Sequence, residues 1–191
     1  MNKIKLKAFR FKFLATLLLG LGLVTSGYQS PQAPQKKQSQ EWQEFMSVIG
    51  EYKVSFPSPP QHISEVVKIK DTDVSIRYDA YIAQSGVDAL CMVLIAQYPK
   101  SVMTEHPEDG LKAFLHGILS QSQEAELMSL EMTQVQGFTA VDFLINNQGV
   151  YLKGRALMVD NVLYLIAMEG HHTQFSNTDY MKFMNSFQLL K

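Results

Sequence analysis

The chain has 191 residues, 46% of them hydrophobic, which is enough for one well-cored domain and hardly two. Its formal charge of −1 hides an asymmetry, because residues 1–27 carry Lys3, Lys5, Lys7, Arg10 and Lys12 and no acid, leaving 12 basic against 18 acidic side chains in the remainder. Apart from Lys36-Lys37 that remainder has no basic doublet, so it lacks the concentrated cationic face that phosphate binding needs, which argues against a nucleic-acid role.

In chain order, the five cations precede an uncharged apolar run, Phe13–Val24, and then the small residues Thr25, Ser26 and Gly27. Positive region, short apolar region and small residues are the order of a secretory signal, with cleavage expected after Gly27. Twelve residues of helix rise about 18 Å, well short of the roughly 30 Å hydrocarbon core. A spanning helix is therefore disfavoured, and membrane contact is expected only through an uncleaved signal. Tyr28 stands where a lipoprotein has its acylated cysteine, so lipidation is excluded. Residues 28–40 hold five glutamines and two prolines with little to bury, the composition of a flexible tether.

Residues 41–191 read as a single domain. Trp42, Phe45, Met46 and Ile49 fall at i, i+3, i+4 and i+7, which predicts a short helical turn. From Gly50 the period becomes two: Tyr52, Val54 and Phe56 alternate with polar residues until Pro57-Ser58-Pro59-Pro60. Over Asp73–Ile82, Val74, Ile76, Tyr78, Ala80 and Ile82 take one side, and Asp73, Ser75, Arg77, Asp79 and Tyr81 the other. One side is expected in the core and the other mostly in water, as in antiparallel sheets. Ser85-Gly86 turns the chain into Ala89–Tyr98, apolar on both sides and so a central strand.

Pro107, Glu108 and Asp109 suit the start of a helix, and Leu111, Phe114, Leu115, Ile118 and Leu119 form its apolar stripe over Pro107–Gln121. Four strands follow: Ala125–Val135, Phe138–Asn146, Val150–Val159 and Val162–Met168. Asn147-Gln148-Gly149 and Asp160-Asn161 are the turns of two hairpins. A closing helix is capped near Ser176-Asn177-Thr178-Asp179 and presents Tyr180, Phe183, Met184 and Phe187. The order is four strands, a helix, four strands and a helix, which predicts an α+β domain: a central, mostly antiparallel β-sheet flanked by helices. Met128, Met132, Met158, Met168, Met181 and Met184 are expected to face the core as soft filling rather than to bind copper.

Chemistry-bearing patterns are scarce. Cys91, the one cysteine, lies in the apolar run Ala89–Ala96 and reads as a small buried hydrophobe. The nucleophile elbow Gly-x-Ser-x-Gly and the phosphate and dinucleotide glycine motifs are absent. His62, His106, His116, His171 and His172 include no helical zinc pair. His171-His172, in the loop before the last helix, are the metal candidates, with Glu169 or Asp179 as possible further ligands. Glu105, Glu108 and Asp109 cluster with His106, which capping and solvation explain.

Tyr52-Lys53-Val54-Ser55-Phe56-Pro57, then Gln136-Gly137-Phe138-Thr139-Ala140, then Gly154–Leu165 and a last helix running into Asn185-Ser186-Phe187 together form a family pattern. Over residues 51–190 the chain resembles bacterial extracytoplasmic domains of the Mog1/PsbP-like α/β/α sandwich type, although Ala140 stands where relatives often carry a second glycine. The resemblance implies the sheet-and-helix architecture and no catalytic residue. Its members include a Ran-GTPase binding factor and a photosystem extrinsic subunit. The expectation is a periplasmic or secreted, non-enzymatic accessory domain that binds an envelope protein and needs no cofactor. The alternative is a small-ligand or metal-binding domain.

Overall fold

The structure is a computed structural model that describes residues 41–68, 75–86, 89–100, 106–171 and 176–190. The expected signal (1–27) and tether (28–40) lie outside them.

The main body is a seven-stranded antiparallel sheet. Its strands are β3 (Gln61–Lys68), β4 (Ser75–Ser85), β5 (Ala89–Gln97), β6 (Ala125–Val135), β7 (Phe138–Asn147), β8 (Val150–Val159) and β9 (Val162–His171), in the spatial order β3-β4-β5-β9-β8-β7-β6. Tight turns set much of this order. At Gln136-Gly137 and Gln148-Gly149 both residues have φ between 50° and 85°, the left-handed pair whose twist matches a hairpin. β5 lies inside the sheet and is buried along almost its whole length, as its two-sided apolar run predicts.

Alternation along the strands sends two sets of side chains to two cores. On one face Tyr78, Leu94, Phe143, Ala156 and Leu165 meet Leu111, Phe114, Leu115 and Ile118 of helix α1 (Pro107–Leu119), the helix anticipated from the sequence. On the other face Val93, Leu157, Tyr164 and Ile166 meet helix α2 (Asn177–Ser186) and a small second sheet. The Ser176 hydroxyl accepts the Asp179 N–H at 3.2 Å and caps α2, as expected.

The small sheet has the order β1-β2-β10, from β1 (Gln43–Ser47), β2 (Tyr52–Phe56) and β10 (Gln188–Leu189). Here the sequence reading is corrected. Residues 43–47 form a strand, not a helical turn: Phe45 and Ser47 turn inward over β2 while Glu44 and Met46 stay exposed. Pairing with β2 satisfies this backbone and lets Phe45 pack on Tyr81 with ring centroids 4.8 Å apart. Tyr52 stacks on Phe187 at 5.5 Å, and the Tyr164 hydroxyl donates to the Gly50 carbonyl at 3.0 Å. The Gln136 side chain clasps β10 by accepting the Leu189 N–H at 2.8 Å and donating to the Leu189 carbonyl at 3.3 Å.

The small sheet and α2 also explain a second correction. On the side of β4 expected mostly in water, Ser75 and Arg77 are exposed, but Asp79 and Tyr81 are buried. A third concerns the methionines. Met158, Met168 and Met184 are in the cores, but Met128 is 53%, Met132 42% and Met181 46% exposed.

Candidate interaction surface

Of the expected metal pair, only His171 lies among the described residues. His171 is the exposed last residue of β9, and His172 lies outside the described residues. Glu169 shares a face of β9 with His171, two residues away, yet among the described residues no group of three His, Cys, Asp or Glu side chains is placed to hold a metal ion. Burial pushes the Glu169 carboxyl up to about 7. Of the cluster around His106, Glu105 is outside the described residues, and Glu108 and Asp109 lie in the first turn of α1, where the helix dipole favours them. Cys91 is buried, and burial pushes its thiol up to about 12, so it is no nucleophile in the folded chain.

A polar cluster that sequence reading missed sits on β3 and β4. Asp79 accepts from His62 Nε2 and from Arg77 Nε, each at 3.0 Å, and from the Ser64 hydroxyl. Burial pushes its carboxyl up, but these hydrogen bonds and the Arg77 charge outweigh that and hold it below the usual range. The His62 ring stacks on Tyr81 at 4.4 Å. Serine and histidine both point at the same carboxylate, so this is not a relay toward a serine nucleophile. Cross-strand pairing of Ser64 with Asp79 and of His62 with Tyr81 creates the cluster, and no local spacing announces it.

The surface that stands out is at the opposite edge of the sheet. β6 pairs only with β7, so among the described residues its outer flank has no partner strand. Leu127, Leu130 and Met132 pair with Ile145, Phe143 and Val141, which point into the α1-side core, so the three β6 side chains point to that same face. α1 packs mainly across β7 and β8 and only grazes β6. The three are therefore left 41–47% exposed, in a row along an uncovered edge. Monomeric proteins usually blunt such an edge with lysine, proline or a bulge. β6 has a bulge between Leu127 and Ser129, and no lysine or proline. The sequence shows a strand over 125–135 alternating through Met128, Leu130 and Met132; the bulge, which sets Leu127 in the row instead of Met128, and the position at an edge are not legible in it.

A cyanobacterial PsbP (CyanoP) from Synechocystis sp. PCC 6803, known from its solution structure, superposes with a TM-score of 0.53 and 14% sequence identity, over 83% of this chain and 98% of that one. A crystal structure of a Pseudomonas aeruginosa protein of unknown function, PA94, gives a TM-score of 0.42 at 12% identity, over 73% of this chain and 90% of that one, and supports no conclusion. No family model matches the chain, and neither does any curated protein. The fold is PsbP-like: an α+β domain with a mostly antiparallel sheet and two helices among the described residues.

Proposed function

We propose that this chain is an exported, non-enzymatic accessory module of the Mog1/PsbP-like type, which binds a protein of the cell envelope along β6. The single observation that carries the reading is the uncovered apolar row Leu127, Leu130 and Met132 on an unpaired edge strand. Exposed apolar side chains beside an open strand edge are what strand addition by a partner uses. Export is supported by the order of residues 1–27: five cations, an apolar block and small residues. No helix among the described residues is long and apolar enough to cross a bilayer.

The experiment is crosslinking in intact cells of the native host, using the full chain with a C-terminal tag, beside the double variant Leu130→Lys/Met132→Lys. Both positions are more than 40% exposed, so the variant should fold. The expected result is a processed chain, cut near Gly27, joined to one identified envelope protein in the wild type and not in the variant. A partner captured equally by both would overturn the β6 assignment. Turnover by the purified chain would overturn the non-enzymatic reading.

A further inference from the structure

The charge around β6 says what sort of segment fits it. From residue 117 to residue 152 the chain contains Glu124, Glu126, Glu131 and Asp142 and not one lysine, arginine or histidine. Strand alternation places Glu126 and Glu131 on the face of β6 opposite Leu127, Leu130 and Met132. Glu131 pairs across the ladder with Asp142, a like charge, and the Asp142 carboxylate is already taken by Arg155, with Nε–Oδ1 at 2.5 Å and Nη2–Oδ2 at 2.7 Å. Among the described residues neither Glu126 nor Glu131 has an ion-pair partner. Among the described residues the outer strand is therefore acidic on one face, apolar on the other and without a partner along its outer flank.

Resting on the β6 reading above, we infer that the occupant is an extended cationic segment, in which lysine or arginine alternates with apolar residues, added to β6 as a further strand. Alternation matters because a strand puts successive side chains on opposite faces. The cationic row would then lie beside Glu131 and run on towards Glu126 across the bulge, and the apolar row beside Leu130 and Met132. The regular stretch is Ser129–Val135, beyond the bulge, and it supplies the backbone donors and acceptors that strand addition uses. A second copy of this chain is the poorer occupant. Its β6 would bring the same carboxylates and no cation to offset them.

The test uses the full chain and synthetic probes: a short acetylated peptide alternating lysine and valine, a peptide of the same composition with its lysines in one block, and one alternating glutamate and valine. Fluorescence anisotropy should show the alternating lysine peptide binding at least ~10-fold more tightly than either other peptide, with affinity falling as salt rises. Glu126→Gln/Glu131→Gln should weaken it about 10-fold and flatten the salt dependence. N-methylation of alternate amides in the peptide should abolish binding, because it removes the added ladder. Equal binding of the alternating and blocked lysine peptides would overturn strand addition in favour of simple charge attraction. No binding, or a dimer of the full chain in sedimentation that is lost in Leu130→Lys/Met132→Lys, would overturn the cationic segment as occupant. These results leave the accessory role standing, since that role depends on the cell crosslink and not on the peptide.

Discussion

Glu169 provides a test of the electrostatics on the α1 side of the sheet. It lies on β9 between Leu90 of β5 and Leu152 of β8 in the ladder, half-buried. Burial alone raises its carboxyl from an ordinary value of 4.5 to about 7, with no cation offsetting the effect. Between those values the folded chain binds more protons than the unfolded chain, so stability falls as pH rises. The contribution is fully present below pH 4.5 and is lost as pH passes through about 7. The full shift has a ceiling of about 3 kcal/mol; solvent at this partly open position reduces the expectation to about 1–2 kcal/mol. Glu169→Gln keeps the shape of the protonated acid and cannot ionise. Urea unfolding of wild type and variant, followed by the fluorescence of Trp42, the one tryptophan, should give equal stabilities at pH 4 and a Gln variant more stable by that amount at pH 8. Trp42 reports the folded state because its ring lies 6.4 Å from Phe183 of α2. His171 lies on the same face of β9, so both proteins are also measured in a His171→Gln background. A difference that is constant between the two pH values, or that favours wild type at pH 8, would refute the burial argument.

Three further outcomes are expected. Asp79→Asn should cost about 1–3 kcal/mol at neutral pH by leaving His62, Arg77 and Ser64 poorly matched; because the folded carboxyl is held below its ordinary value of 3.8, the gap should be complete above that value and close as pH falls beneath it, as acid titration of the two proteins would show. Gly154→Ala should destabilise by at least ~2 kcal/mol in the same urea assay, since a Cβ would sit 2.6 Å from the Ile166 carbonyl oxygen and 2.7 Å from the Ala167 Cβ; a neutral change would mean that β8 and β9 can separate there. Cys91 should resist a thiol reagent in the folded chain and react once in denaturant, and rapid labelling without denaturant would contradict its burial in the α2-side core.

Much of the sheet was legible because alternation and burial agree. β2, β4, β5, β7, β8 and β9, the stripe of α1 and the cap of α2 all follow local rules, and the turn glycines mark where the hairpins reverse. The failures have physical causes. Residues 42–49 fit a helical period, but over so short a span pairing with β2 overrides it. β3 is not legible because the apolar residues of Gln61–Lys68, Ile63, Val66 and Val67, do not alternate; β10, two residues long, is held by β2 and by the Gln136 side chain. β6 was recognised as a strand but its Met128 and Met132 were placed in the core, because alternation gives a side and not a neighbour. The Asp79 cluster depends on strand pairing that no spacing encodes. The one signal for the proposed surface that the sequence did hold was the absence of any basic residue from 117 to 152.

The small sheet also sets how the domain would bear load. β1 and β10 flank β2, both antiparallel to it, and therefore run parallel to each other. Chain enters β1 opposite Phe56 and leaves β10 opposite Tyr52, at opposite ends of the shared strand. A pull between the N-terminal segment and the C-terminus would thus slide β1 and β10 past β2 in opposite directions, stressing their ladders in shear rather than opening them bond by bond. The seven-stranded sheet, with its outer edge at β6, lies off that line of force. Tension along a tether would reach the small sheet and α2 first, and leave the geometry of β6 unchanged until they gave way.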